Sequence, residues 1–354
     1  MGQRTSQVRG SWGFIQVRVH RLRDEAGREH SYRLDGSLDG SGYTPWVLER
    51  LLELAGRLPY EEAAELGRAF GLEVSAAGLA RLHATYGKAL EETLCASLQE
   101  RAWAALAEGE GRVMVLEVDG VRVAGQPHPS THRCEGIEVK TALVYPQRAP
   151  GARTRMAGVM KPEQLLPQLS GLLRAAGVQR QDEVIGVSDG AVWIEQLYQT
   201  LGIPQVIDVF HASQYLEQVM LELGWSEEER AEERRRWLRG EVAGGEWLGT
   251  YCPPPTAPER QSWSEEARSA IQYLEQRADR MDYPAYKARG WPIGSGQVEG
   301  MNKHVIGARM KRSGMQWSRP GASRTAAHRA QLCSSHPLVA FEALRWRAFP
   351  VRNC

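Results

Sequence analysis

The sequence predicts an α/β protein in which helices pack on a mixed β-sheet. Between residues 112 and 211, three strand-like runs come first, and helix, strand, helix and strand then alternate. Alternation after an initial meander is typical of a sheet with both antiparallel and parallel strands. The length of 354 residues and the 42% hydrophobic content indicate a globular chain of two or three domains.

The region before this sheet divides into two parts. Residues 14–34 alternate apolar and polar side chains around the sequence DEAG, which predicts a β-hairpin within an N-terminal segment over residues 1–44. Residues 45–108 have helical periodicity, with a break at Gly71 and a new helix opening at Ser75. This helix-turn-helix-like shape suits a DNA-binding domain, and an ordinary helical hairpin explains it equally well.

The rest of the chain divides into four segments. The first part of the sheet domain is expected over residues 109–211, and a helical insertion of mixed charge over residues 212–288. Residues 289–335 contain a further helix and a basic segment, and residues 336–354 form a C-terminal tail.

Two acidic residues end apolar strands of the predicted sheet. Asp119 follows VMVLEV and Asp189 follows VIGVS, and a glycine comes after each. A carboxylate at the end of a buried strand is unfavourable unless another group pairs with its charge. Taken singly, each Asp-Gly pair is more typical of a turn. Because the two strands are expected to be neighbours, the pair together favours a shared site.

A third acid, Glu299, opens a helix that leads into a basic run. Seven lysines or arginines follow it before the next acidic residue. The predicted helix has Val298, Met301, Val305 and Ala308 on one face, which would pack on the sheet and direct Glu299 toward the strand ends. Considered alone, Glu299 is also explained as a solvated first-turn acid favoured by the helix dipole.

Together the three acids have the chemistry of a metal site. Carboxylate oxygens are the ligands that Mg²⁺ and Mn²⁺ prefer, and two such ions about 4 Å apart can activate a water or a 3′-hydroxyl against a phosphodiester. Asp119, Asp189 and Glu299 are therefore predicted as catalytic residues that bind two ions. The basic run would hold the phosphate backbone, with an aromatic side chain for base stacking, although core packing explains that aromatic residue equally well. The predicted DNA-binding residues are Lys303, Arg309, Lys311, Arg312, Trp317 and Arg319.

Four motifs resemble the transposases of bacterial insertion sequences that carry an Asp-Asp-Glu triad on a ribonuclease H-like fold, and most closely those of the Kra-type insertion sequences. The motifs are VDG at Asp119, SDGAVWI at Asp189, DVFHASQYL at Asp208 and GSGQVEGMNKHVIGARMKRSGMQWSRPG around Glu299. The resemblance covers roughly residues 45–330. It implies a ribonuclease H-like mixed sheet interrupted by the helical insertion, and the three acids as its metal ligands.

The resemblance also implies roles beyond the triad. Asp208 and His211 would be auxiliary residues that support the active site or position DNA, and a structural hydrogen-bonded pair at a strand end is the alternative. The N-terminal region departs from the family, because no cysteine precedes Cys95, where relatives often have a zinc-binding cluster.

The function that these observations predict is transposition. The protein would bind the terminal inverted repeats of its element, cleave DNA there and join the 3′-hydroxyl to target DNA, as a homodimer or larger assembly on DNA. Two alternatives stay open: a catalytically idle or domesticated sequence-specific DNA-binding protein, and a ribonuclease H-like metal nuclease that does not join strands.

Composition narrows the class of protein further. The net charge of +1 argues against a uniformly basic DNA-coating protein, so any DNA-binding surface is expected to be local. Five cysteines without the spacing of a zinc site favour a reducing setting, here the bacterial cytoplasm and nucleoid. No apolar run reaches the ~20 residues of a membrane span.

Overall fold

A computed structural model of the chain describes residues 2–10, 13–23, 29–33, 39–99, 111–127 and 130–350. The chain begins with three antiparallel strands: Gly2–Gly10 (β1), Gly13–Arg23 (β2) and Glu29–Arg33 (β3). Pairing of β2 with β3 confirms the predicted hairpin, and β1 adds a strand that was not predicted. The DEAG turn itself lies outside the described residues.

Three helices follow in the segment that was predicted to be helix-turn-helix-like. They are Pro45–Arg57 (α1), Tyr60–Ala69 (α2) and Ala76–Gln99 (α3), and Gly71 lies in the turn between the last two. Their apolar side chains form a small core of their own. The second half of α3 also contributes to the core beneath the main sheet, so these helices are not packed as a separate domain. Residue 108, the predicted end of the segment, lies outside the described residues.

A five-stranded mixed sheet organises the rest of the molecule. Its strands are Val113–Pro127 (β4), Cys134–Pro146 (β5), Thr154–Gly158 (β6), Glu183–Ser188 (β7) and Gln205–Ile207 (β8). The order across the sheet is β6, β5, β4, β7, β8; the first three strands are antiparallel, whereas β4, β7 and β8 are parallel. The intervening helices are Pro162–Ala175 (α4) and Val192–Leu201 (α5). This confirms the predicted order of strands and helices, and the sheet is compatible with a ribonuclease H-like fold. The predicted strand end at Asp119 is wrong, because β4 continues to Pro127 and Asp119 pairs with Thr141 of β5.

Both faces of the sheet are covered. On β4, Leu116 and Val118 point into a core shared with α3, α4 and α5, whereas Val115 points into a core on the opposite face. Side chains alternate between faces along a strand. A strand buried on both faces therefore appears in the sequence as a nearly continuous apolar run, interrupted in β4 by Glu117 and Asp119.

The predicted insertion is helical and packs on the sheet. Its helices are Val209–Glu222 (α6), Glu227–Leu238 (α7), Gly244–Tyr251 (α8), Pro258–Gln261 (α9), Glu265–Glu275 (α10) and Tyr283–Ala288 (α11). Trp237 and Trp247 of the insertion belong to the same hydrophobic core as Val115 of β4. The insertion therefore covers one face of the sheet instead of forming a detached unit.

The C-terminal part contains the helix predicted around Glu299. The elements are Gly296–Met301 (α12), a π-helical turn over Asn302–Gly307, Ala308–Met310 (α13), Arg319–Cys333 (α14) and Phe341–Ala348 (α15). Within the described ranges no helix combines the length and apolarity that a bilayer crossing requires.

The π-helical turn changes the predicted apolar face of this segment. Val298, Met301 and Val305 are buried as expected, but Ala308 is exposed and Arg309 is buried. A π-turn takes one residue more than an α-turn, so every later side chain reaches a given direction one position later.

Candidate active site

The predicted acids of the sheet meet at one edge. Glu117 of β4 pairs with Val187 of β7, so Asp119 and Asp189, each two residues further along parallel strands, lie at the same level. Asp208 directly follows β8, the strand beside β7. The sheet topology therefore brings Asp119, within β4, to the level at which β7 and β8 end, directly before Asp189 and Asp208.

Asp119 is half-buried and its carboxylate is oriented by two hydrogen bonds. Its Oδ1 accepts from the Gly120 N–H and its Oδ2 from the Asn302 side-chain amide, both at 2.6 Å. Burial is the main reason that the pKa of Asp119 is raised to about 6, and the negative charges of Asp189 and Glu299 raise it further. The three acids predicted from the sequence therefore share one electrostatic neighbourhood.

The main chain at Asp189 is held by the helical insertion. Tyr273 of α10 donates its hydroxyl to the Asp189 carbonyl at 2.5 Å, and Arg277 donates to the Gly190 carbonyl through Nε (3.0 Å) and Nη2 (2.9 Å). Gly190 has a φ of +80°, and a Cβ there would lie 2.7 Å from the Arg277 Nε. The glycine after Asp189 thus permits both a left-handed conformation and the close approach of Arg277.

Glu299 is exposed at the border of an open groove. The groove has a volume of about 440 Å³ and is lined by Val121, Glu299, Asn302, Lys303, Gly307 and Lys311. Across the described ranges, no three His, Cys, Asp or Glu side chains are close enough together to hold a metal ion. The three acids thus interact through their charges in this conformation without forming a closed ligand set.

Asp208 is a buried helix cap that also holds the start of α12. Its Oδ1 accepts from the N–H groups of Phe210 (2.6 Å) and His211 (3.2 Å) at the start of α6. Its Oδ2 accepts from the Ser295 N–H at 2.8 Å and from the Ser295 hydroxyl. The His211 ring packs against Tyr215 with centroids 5.7 Å apart. Asp208 and His211 are therefore linked through the main chain, as in the structural alternative.

Glu117 is a second buried acid at this site and was not predicted from the sequence. The side chain is 0% exposed; its Oε1 accepts from the Tyr145 hydroxyl at 2.5 Å and its Oε2 from the Val298 N–H at 2.7 Å. Burial raises the pKa of Glu117 to about 7, and the charge of Asp208 acts in the same direction. An acid two positions before Asp119 in an apolar strand was the available signal, because alternation places both on one face.

Asn302 was also missed, although it lies one turn after Glu299. Besides donating to Asp119, its side-chain oxygen accepts from the Thr141 hydroxyl of β5 at 2.9 Å. Thr141 lies opposite Asp119 in the β4–β5 ladder. No spacing rule in the sequence links Asn302 to the two strands, so only the folded chain reveals this contact.

The predicted DNA-binding residues fall into two groups, one exposed to solvent and one buried. Lys303, Lys311, Arg312 and Arg319 are exposed. Arg312 forms an ion pair with Glu62 of α2 at 2.8 Å, which ties the basic run to the helix-turn-helix-like segment. These four side chains are accessible to a ligand.

Arg309 and Trp317 were also predicted to contact DNA, but both are buried and neither side chain is accessible to a ligand in this structure. Arg309 is 1% exposed, and its guanidinium lies 5.2 Å from the ring centroids of both Tyr60 and Trp317. Trp317 is 9% exposed and donates its indole N–H to the Met310 carbonyl at 2.9 Å. The extra residue of the π-helical turn places Arg309 on the buried face, and Trp317 packs in the core.

Known proteins resemble this chain only weakly. No protein-family model matches the chain, and no curated protein is significantly similar to it in sequence. One solved structure, the Drosophila P element transposase strand transfer complex, aligns with a TM-score of 0.29 and 12% identity over 80% of this chain and 77% of that chain. Likeness at this level assigns neither a fold nor an activity.

Proposed function

We propose that the chain is a divalent-metal-dependent DNA transposase that cleaves DNA ends and joins the freed 3′-hydroxyl to target DNA. The observation that supports this most directly is geometric: β4 and β7 carry Asp119 and Asp189 at the same level of the sheet, and Asn302, one turn after Glu299, donates to Asp119. The charges of Asp189 and Glu299 also raise the pKa of Asp119. Acids that repel one another are stabilised by a cation bound between them. DNA is the proposed partner, and action on two DNA ends calls for at least a dimer on DNA.

The donor set suits magnesium or manganese. Carboxylate oxygens are hard donors, and each has a second lone pair, so the Asp119 oxygens that accept from Gly120 and Asn302 can still bind a metal. Asp119, Asp189 and Glu299 would hold two ions. When bound, these ions supply activation of the attacking water or hydroxyl and stabilisation of the leaving oxygen.

The protein's own side chains would orient the acids and bind the DNA backbone. Thr141 fixes the Asn302 amide so that its N–H₂ group faces Asp119, which restricts the rotation of that carboxylate. Lys303 and Lys311 line the groove beside Glu299, where ammonium groups can contact phosphates. Cleavage chemistry and backbone binding would thereby occur at the same edge of the sheet.

The decisive variant is Asp119→Asn, which keeps the shape of the side chain and removes its charge. The full chain would be incubated with Mn²⁺, supercoiled plasmid and linear duplexes with random ends and free 3′-hydroxyls. We expect nicking and joining to fall at least about a thousandfold, because several kcal/mol of transition-state stabilisation is lost. DNA affinity should stay within about twofold, since the phosphate contacts are unchanged.

A matched control is Asp182→Asn. Asp182 is a buried aspartate at the opposite end of the sheet, where it forms an ion pair with Arg112 at 2.8 Å. The variant should keep wild-type activity once corrected for folded protein. Asp119→Asn activity equal to this control would remove the triad assignment. Nicks without covalent junctions would favour a metal nuclease, and DNA binding with no metal-dependent cleavage by the wild type would favour an idle DNA-binding protein.

A further inference from the structure

Glu117 carries a carboxylate in a position where an apolar residue would be expected. It lies in the centre of β4, paired with Leu143 on one side and Val187 on the other, and both neighbours are fully buried. A buried acid is strongly unfavourable unless hydrogen bonds satisfy it. One of its two partners is the Tyr145 hydroxyl in the same sheet, and the other is the main chain of a different element.

That second partner is the N–H of Val298 in the first turn of α12. The first N–H groups of a helix have no partner within the helix, so a carboxylate that accepts from one fixes both the position and the rotation of the helix start. The neighbouring Ser295 donates to Asp208, which is 1% exposed. Asn302, one turn further, donates to Asp119. The three contacts occur at positions 295, 298 and 302, a spacing that belongs to one helix face.

Glu299 follows Val298 directly and so lies about 100° around the helix from the face that contacts the sheet. Its direction is set by the rotation of α12. A shift of the helix by one position would move the carboxylate away from its place beside Asn302 in the groove, and Asn302 donates to Asp119.

We propose that Glu117 is a positioning residue that holds α12 on the sheet so that Glu299 faces Asp119, with Asp208 as a second anchor. The link to chemistry rests on the proposed function, whereas the anchoring itself does not. Val298 and Met301 contact the core without directional bonds, so the hydrogen bonds to Glu117 and Asp208 restrict the rotation of the helix start more than apolar packing alone would.

The anchoring is tested by amide hydrogen exchange in the full-length chain. Glu117→Met keeps the length of the side chain and removes both acceptors. Exchange at the N–H of Val298 and its neighbours should become about tenfold faster, the loss expected for one hydrogen bond to a buried carboxyl group. Glu117→Gln retains one acceptor oxygen and should restore most of the protection.

The matched control is Asp182→Leu, which removes a buried carboxylate that accepts from the Arg112 N–H at the other end of the sheet. Exchange around Val298 should not change in this variant. If Glu117→Met does not fold, Ser295→Ala weakens the second anchor with a smaller perturbation and should raise exchange over the same residues. Unchanged exchange around Val298 in the folded variants would overturn the anchoring.

The link to chemistry is tested by kinetics with Mn²⁺ and DNA. In Glu117→Met, turnover at saturating DNA should fall about a hundredfold, because small misplacement of a reacting group has effects of this size, while half-saturation stays within about twofold. Glu117→Gln should recover most of the turnover. A loss no greater than in Asp182→Leu would mean that Glu117 serves only packing. If the wild type has no metal-dependent activity, the proposed function fails, and hydrogen exchange alone then decides the anchoring.

Discussion

At the scale of single residues, cations of the same basic run have different surroundings. Lys311 is exposed in the groove beside Glu299, whereas Arg309, two positions earlier, is enclosed between Tyr60 and Trp317. Burial lowers the pKa of Arg309. The Arg309 guanidinium therefore interacts with aromatic rings and a main-chain carbonyl of the protein. Only the exposed cations of the run can contact a phosphate backbone.

This difference predicts how two substitutions affect DNA binding. Lys311→Ala should weaken binding and reduce the slope of log affinity against log salt concentration by about one, because one phosphate contact is lost. Arg309 belongs to the same basic run but is buried, so Arg309→Met should leave this slope unchanged. Binding titrations between about 50 and 200 mM salt would measure both. An unchanged slope for Lys311→Ala would exclude that side chain from the DNA path.

At the scale of elements, the boundaries of helices were predictable where turn signals are strong. The break at Gly71 and the helix beginning after Ser75 occur as expected, because glycine and a potential cap are local signals. The π-helical turn after Glu299 was not predictable, since no residue of Asn302–Gly307 forces an extra residue into the helix. Its main consequence is the inward direction of Arg309, which a regular helix would have placed elsewhere.

Contact between α3 and α4 depends on the absence of a side chain at Gly171. A Cβ there would lie 2.5 Å from the Leu98 Cα, and a main-chain atom cannot move aside cheaply. We expect Gly171→Ala to lower the free energy of unfolding by about 1–3 kcal/mol, as overpacking does. Gly249→Ala in α8 is the control, since no atom from beyond its own stretch of helix lies within 4 Å of its Cβ position. Alanine there should be neutral or stabilising by up to about 1 kcal/mol. Urea unfolding curves of the two variants measure the contrast.

At the scale of the whole molecule, the sheet was predictable and much of the site was not. Apolar runs of strand length separated by amphipathic helices fix the order of elements around Asp119 and Asp189, because those signals are local. The contacts of Glu117 with Val298 and of Asn302 with Asp119 join residues more than 180 positions apart. No periodicity encodes such a pairing, so it emerges only when α12 packs on β4.

A buried pair of histidines also joins distant parts of the chain. His83 of α3 and His328 of α14 lie 2.9 Å apart, Nε2 to Nδ1, and the Tyr60 hydroxyl lies 2.8 Å from the His83 Nδ1. Burial lowers the pKa of both histidines, that of His328 to about 3. Both are therefore neutral in the folded protein at neutral pH, and burial disfavours protonation of either ring.

This pair predicts loss of stability in mild acid. Unfolded histidines titrate near 6.5, so between that pH and about 3 the unfolded chain binds more protons than the folded one. The pair's contribution is complete above pH 6.5 and declines below it, by up to about 1.4 kcal/mol per pH unit for each histidine. The raised pKa of Glu117 and Asp119 acts in the opposite direction, so the wild-type curve alone does not isolate the pair.

Substitution separates these contributions. His328→Gln should flatten the dependence of unfolding free energy on pH between 5.0 and 6.5, whereas His336→Gln, at an exposed position, should not. Urea unfolding at several pH values measures this slope. Equal slopes for His328→Gln and the wild type would contradict the assignment of acid sensitivity to the buried pair.

Under the proposed function, the packing of α3 in two cores links the site of DNA recognition to the site of cleavage. One end of this helix follows the turn after α2, and the other lies in the core beneath the sheet that carries Asp119 and Asp189. If the turn and the start of α3 bind a specific DNA sequence, the length of this helix sets the distance between the bases that are recognised and the bond that is cleaved. The protein would then cleave at a constant number of base pairs from its recognition sequence.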